Sequence, residues 1–180
     1  GKGTLITLLG GTLQPDEGKI AVGGREVRFR NSREAAAAGI AAVFQELSVV
    51  GTLSVAADIF ANRQPSGPLG FVRRNELMRR TEELLRTFDV SIAPDAMVSE
   101  LSVAERQVVE ILKCLAANPC ILLLDEPTSS LTQREKESLF ALIRRLRDRG
   151  VSLIYISHYL EEVRQVAGRF TVLRDGCVTG

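Results

Sequence analysis

Ile121-Leu122-Leu123-Leu124-Asp125-Glu126-Pro127-Thr128 decides the fold. An unbroken apolar run lies between Pro119 and Pro127 and ends in two carboxylates. A strand buried on both faces of a parallel sheet reads this way, because neither face alternates with solvent. Thr132-Gln133-Arg134-Glu135 follows as a capping box. The helix behind it carries Leu139, Leu142, Ile143 and Leu146 inward and stops at Gly150. Residues 152–157 are the next strand. This strand-helix-strand order is the βαβ unit of a parallel sheet. Ligands of such sheets bind beyond the carboxyl ends of the strands. Asp125 and Glu126 stand there: Asp125 suited to Mg²⁺, directly or through water, and Glu126, facing the other way by strand alternation, suited to polarising an attacking water. The plainer alternative is a pair of turn-forming acidic residues.

Upstream, residues 4–9 read as a short helix with Leu5, Leu8 and Leu9 on one face, ended by Gly10 and Gly11. Pro15-Asp16-Glu17-Gly18 is a turn. Residues 20–22 and 27–29 read as antiparallel strands around Gly23-Gly24, and 40–44 as a core strand. Residues 52–61 are helical or looped, and 64–70 are a Pro/Gly-rich connector. Leu77, Leu84, Leu85 and Phe88 recur at helical spacing. Ser102-Val103-Ala104-Glu105 is a second capping box, followed by Val108, Ile111, Leu112 and Leu115 at helical spacing. Downstream, 159–167 is a shorter helix, and 170–174 and 177–179 are closing strands around Asp175-Gly176. The helical stretch at approximately 50–117 reads as a subdomain inserted between core strands of one domain over 1–180.

The 180 residues suit one domain with a sizeable core. Apolar residues are 45% and charged residues 25%, ordinary for a soluble globular protein. A net charge of +1 argues against bulk attraction to nucleic acid or anionic lipid. The apolar runs are too short to span a bilayer, and the first residues form no signal peptide. Three cysteines without CxxC spacing favour neither disulfides nor zinc, and Cys114 and Cys120 read as buried small hydrophobes. A cytosolic protein is expected.

Four further segments can carry chemistry. Gly1-Lys2-Gly3-Thr4 opens directly into a helix and matches the tail of the phosphate-binding pattern G-x-x-x-x-G-K-[ST]. Backbone N–H groups and the helix dipole favour phosphate at such a start, and the lysine neutralises it. Gly-Lys is also a common dipeptide, so a frayed basic terminus is the alternative. His158, the chain's single histidine, follows the 152–157 strand. It is either structural or a γ-phosphate contact at the edge that carries Asp125. Gln45 ends the 40–44 strand, where its amide can touch a metal-bound water. Ser102 and the free N–H groups behind it form either an anion site or an ordinary helix cap.

The order of these segments resembles an ATP-binding-cassette (ABC) ATPase. Gly1-Lys2, Gln45, Leu101-Ser102, the 121–132 segment and His158 look like its phosphate loop, Q-loop, signature, Walker B with D-loop, and switch histidine. Phe44-Gln45-Glu46-Leu47, Val108-Val109-Glu110-Ile111, Pro127-Thr128-Ser129-Ser130-Leu131-Thr132 and Val172-Leu173-Arg174-Asp175-Gly176 resemble the first cassette of bacterial ribose-, galactose- and xylose-type importer subunits. The resemblance implies a P-loop NTPase fold with a parallel core sheet flanked by helices, a small antiparallel part and an inserted helical subdomain, N-terminally truncated. It implies ATP and Mg²⁺ as cofactors. Gly1, Lys2, Gly3 and Thr4 would lie at the phosphates, and Asp125 with Gln45 at the metal. Glu126 would activate water, and His158 and Gln45 would sense the γ-phosphate. Ser102 and Ala104 would reach the ATP of a second cassette docked head to tail. The partners implied are that cassette, membrane permease subunits and, indirectly, a periplasmic sugar-binding protein, with no nucleic acid, at the cytoplasmic face of the inner membrane.

Three positions depart from that pattern. The glycine-rich head of the phosphate loop and the adenine-stacking aromatic are not in the sequence. Gly3 stands where the family has serine, so it offers no hydroxyl to Mg²⁺. Ala104 replaces the signature glycine and Glu105 the usual glutamine, both mild changes. The competing expectation is a degenerate or truncated cassette with little ATPase activity, serving as an assembly partner. A soluble cassette acting on DNA or ribosomes fits the near-neutral charge poorly.

Overall fold

The computed structural model describes residues 1–67, 71–174 and 176–179. It comprises two compact units. The first consists of Gly1–Gln45, Asn118–Pro127 and Gly150–Gly180; the second consists of Glu46–Ala117 and Thr128–Arg149.

The first unit is built on three parallel strands, β3 (Ile40–Val43), β4 (Ile121–Asp125) and β5 (Ser152–Ile156), in the order β3-β4-β5. Register runs from Ile40 opposite Ile121 to Val43 opposite Leu124, and from Ile121 opposite Ser152 to Asp125 opposite Ile156. The apolar run at 121–124 is the middle strand of the three, and Leu122, Leu123 and Leu124 are buried to 0–1% exposure, as double-sided burial requires. Helix α1 (Lys2–Leu9) packs on β4. Ile6, Phe29, Ala35, Ile40, Leu123 and Ile156 form the core beside it. The helix starts two residues before the expected 4–9, and its buried residue is Ile6, with Leu5, Leu8 and Leu9 only partly covered.

A hairpin, β1 (Ile20–Val22) and β2 (Arg25–Val27), turns on Gly23 and Gly24. Both glycines have positive φ, 57° and 77°, as a two-residue hairpin loop demands. The second strand therefore begins at Arg25 rather than at the expected 27, and Phe29 lies beyond it in the core. Helix α2 (Ser32–Ala37), not anticipated above, is capped by Asn31, whose side chain accepts from the Glu34 N–H. Cys120 is exposed, not buried. It directly precedes β4, where its sulfur lies over Gly39: a Cβ there would come within 2.6 Å of Sγ. Helix α7 is Leu160–Val166, and a short antiparallel pair, β6 (Leu173–Arg174) and β7 (Cys177–Val178), replaces the longer expected strands. The expected turn residue Asp175 lies outside the described residues, as does 68–70 of the expected connector.

The second unit is helical: α3 (Val55–Ile59), α4 (Arg74–Thr87), α5 (Val103–Leu115) and α6 (Gln133–Asp148). Their apolar stripes bury Val55, Ile59, Leu77, Leu85, Ile111, Leu112, Leu139, Ile143 and Leu146. The crossover helix between β4 and β5, α6, clusters with this unit rather than with the sheet. A polar network ties the 46–50 segment to α5. Lys113 Nζ donates to Ser48 O at 3.2 Å and lies 3.4 Å from Asp58 Oδ2, while Ser48 Oγ donates to Glu110 at 2.6 Å. Cys114 is partly covered there, and burial, reinforced by the Glu110 charge, pushes its thiol up to about 12. No helix among the described residues is long and apolar enough to cross a membrane.

Candidate functional site

Three chain segments converge at the carboxyl ends of the parallel strands. Asp125 is the last residue of β4, partly buried. Burial pushes its carboxyl above the ordinary carboxylate range; the neighbouring Glu126 charge adds to this, and the Lys2 ammonium opposes it. A carboxylate so placed is relieved by a cation.

Glu126 lies one residue beyond the strand, and alternation does not set its direction. Its φ is 47°, in the left-handed region that a non-glycine residue enters only at a cost of about 1–2 kcal/mol. Its N–H is tied to Ile156 O at 2.9 Å. The turn brings its Oε1 to 3.0 Å from His158 Nδ1. An ionised carboxylate only accepts, so Nδ1 carries the proton in this contact and Nε2 remains available. The His158 ring lies 3.9 Å from the Tyr159 ring between centroids, tilted by 41°.

Lys2 opens α1, and its Nζ donates to Ser157 O at 2.8 Å. The N–H groups of a helix's first turn lack intrahelical partners. At α1 no acidic residue lies in the first turn. Gly1, Gly3 and Thr4 are exposed around this start. A Cβ built on Gly3 meets nothing within 4 Å. Gln45 lies two residues past β3, at the same ends of the strands, with its side chain exposed.

The structure thus brings Lys2, Asp125, Glu126 and His158 together and leaves Gln45 nearby in solvent. Ser102 and Ala104 belong to the second unit. Ser102 Oγ accepts from the Glu105 N–H at 3.3 Å, and Glu105 Oε2 accepts from the Ser102 N–H at 2.8 Å. Both residues line a cavity of about 520 Å³ with Leu131, Ser138, Leu142 and Arg145. Sequence reasoning missed the bonds from Tyr155 and Ser157 to Glu162 beside the His158 turn. The acidic residue four places after His158 was the one signal available, and Glu161 beside it made that signal ambiguous.

Among the described residues no group of three or more His, Cys, Asp or Glu side chains is arranged to hold a metal ion. Mg²⁺ is commonly bound through one or two carboxylates plus phosphate oxygens rather than in a protein cage. An ammonium in a first helical turn without acidic residues and a strand-end carboxylate fit a magnesium polyphosphate.

Comparison with solved structures gives the fold class. A nucleotide-free ATP-binding cassette from an ABC transporter superposes with a TM-score of 0.82 at 22% identity, covering 100% of this chain and 75% of that one. An ATP-binding cassette in its ADP conformation gives 0.85 at 24%, covering 99% and 74%. The fold is the P-loop NTPase fold of the ABC ATPase type. The chain belongs to the ABC transporter family, whose model matches residues 1–129. Its relatives include the arabinose import ATP-binding protein AraG 1 of Burkholderia cenocepacia, 46% identical over 98% of this chain and 35% of that protein. The ribose import ATP-binding protein RbsA 1 of Rubrobacter xylanophilus is 44% identical over 100% of this chain and 36% of that protein. The chain therefore spans about a third of the length of the curated relatives it matches.

Proposed function

We propose that this chain is the catalytic cassette of a monosaccharide importer, binding and hydrolysing ATP to drive transport across the bacterial inner membrane. The observation that carries this reading is the 3.0 Å contact of His158 with Glu126, beside Asp125 and the start of α1. Lys2 and the N–H groups around Gly1, Gly3 and Thr4 hold the phosphates. Asp125, with Gln45 through water, holds the metal. Held there, Mg²⁺ would supply positive charge to offset the charge that develops on the phosphates. Glu126 orients the attacking water and draws on its proton. His158, fixed by Glu126 through Nδ1, presents Nε2 toward the terminal phosphate. Ser102 and Ala104 serve the nucleotide of a second cassette, docked head to tail.

The relatives' names supply the sugar class, and the helical insert at approximately 50–117 is the part expected to meet permease subunits. A periplasmic binding protein would deliver the sugar, and the ATPase would sit peripherally at the cytoplasmic face. Gly3 favours a second reading, a cassette with little turnover that acts as an assembly partner, since it offers the metal no hydroxyl.

Glu126→Gln in the intact protein decides between them. On the first reading ATP binding persists while turnover falls about 10²–10⁴-fold. Parental turnover within a factor of two would remove Glu126 from the mechanism. A parent that binds its partners but does not hydrolyse ATP would establish the second reading.

A further inference from the structure

The segment that carries His158 is held from behind by one buried carboxylate. Glu162, in the first turn of α7, is 5% exposed. Its Oε2 accepts from Tyr155 Oη at 2.9 Å and from Ser157 Oγ at 3.0 Å. Ser157 Oγ in turn accepts the Tyr159 N–H at 3.0 Å, and the Glu162 N–H donates to Tyr159 O at 3.2 Å. The residues on both sides of His158 are therefore pinned, and both pins lead to Glu162. The backbone carbonyl of Ser157 is the acceptor for Lys2. Ser157 thus bonds Glu162 through its side chain and Lys2 through its backbone carbonyl.

We infer that Glu162 is a positioning residue: through Ser157 and Tyr155 it fixes the 157–159 backbone so that His158 meets Glu126 and the Ser157 carbonyl meets Lys2. This rests on the ATPase reading above. A buried carboxylate carries a large desolvation penalty, which hydrogen bonds to its charged form offset. Tyr155 and Ser157 supply two such bonds to one oxygen. The arrangement is rigid because each donor is itself anchored, Tyr155 within β5 and Ser157 through the Tyr159 N–H.

The test is a cycle of ATP turnover in the intact protein. Glu162→Leu keeps apolar bulk but removes the acceptor. It should lower kcat about 10- to 100-fold, the scale of a roughly 1 Å misplacement near a reacting group. Glu162→Gln keeps an oxygen for both hydroxyls and should stay within about threefold of the parent. On a His158→Ala background, Glu162→Leu should cost several-fold less than on the parent, only the share acting through Lys2 remaining, since residues acting through one another are non-additive. A merely structural role would instead multiply the two losses, and that result overturns the inference. Parental kcat in a folded Glu162→Leu, with Glu126→Gln inactive, overturns it alone. Should Glu162→Leu fail to fold, Ser157→Ala takes its place in the same cycle, with the same outcomes. A parent without turnover, or Glu126→Gln at parental turnover, overturns the ATPase reading and this inference with it.

Discussion

Helix α1 and helices α5 and α6 begin in opposite ways. At α5 and α6 a carboxylate three residues in turns back on the cap. Glu105 accepts the Ser102 N–H, and Glu135 accepts both the N–H and the hydroxyl of Thr132. Those helix starts are satisfied by their own side chains. The first turn of α1 has no acid and carries a lysine instead. No acidic residue of α1 itself faces the positive end of its dipole, whereas at the other two a carboxylate does. Ser102 Oγ accepts from the Glu105 N–H, and a serine hydroxyl also carries a proton that it can donate. Glu105 sets a negative charge beside that hydroxyl, a feature unhelpful to a phosphate there.

The comparison breaks most readily at Lys2. Lys2→Ala should weaken ATP binding about 10- to 100-fold, the worth of a charge-assisted hydrogen bond, in an equilibrium nucleotide titration. An equal loss on removing Glu105 from α5 would show that the two kinds of helix start do not differ in function.

Gly3→Ser sharpens the same contrast. A Cβ at Gly3 meets nothing within 4 Å in this structure. The serine hydroxyl should raise magnesium-dependent ATP affinity about 2- to 10-fold, the range of a single neutral polar contact. Mg²⁺ titrations of ATP binding that overlay for the two proteins would mean that Gly3 is tolerated at the metal.

At the closed starts the expected effects fall on stability. Glu105→Ala opens the α5 capping box and should lower unfolding free energy by about 0.3–1.5 kcal/mol in a denaturant melt. Glu105→Gln retains the acceptor and should leave the melt close to the parent, while removing the charge beside Ser102. Equal melts for the alanine and glutamine variants would show the box to be energetically idle.

The smallest effect concerns pH at α6. Hydrogen bonds from the Thr132 hydroxyl and N–H hold the Glu135 carboxyl below its ordinary range. A depressed folded-state pKa contributes stability that is present above the unfolded value and is lost as pH falls through the folded one. Thr132→Val should let the Glu135 carboxyl rise toward the usual value in an NMR titration. Its stability deficit against the parent should fade in acid, and a deficit that grows below the carboxylate range would contradict this account.

The capping boxes and helical stripes were legible because they are local. Ser102 with Glu105, Thr132 with Glu135, and the Leu139, Leu142, Ile143 and Leu146 stripe need only the geometry of one helix. The 121–125 strand was legible for a related reason, since double-sided burial leaves a mark in composition. Errors arose where a neighbour decides. Ile6, rather than Leu5, Leu8 and Leu9, is buried because β4 chooses which face of α1 is covered. Glycines at 23 and 24 moved β2 forward, and Cys120 stays exposed beside Gly39.

The sequence by itself determined the strand-helix-strand order and the placing of Lys2, Asp125 and His158 at ends of elements, because spacing and apolar period fix where elements stop. Tertiary structure alone decided that Glu126 takes a left-handed turn toward His158 and that Glu162 reaches Tyr155 and Ser157 from α7. A strained backbone or a carboxylate shared between elements depends on what the rest of the fold supports, and no local window of sequence contains that information.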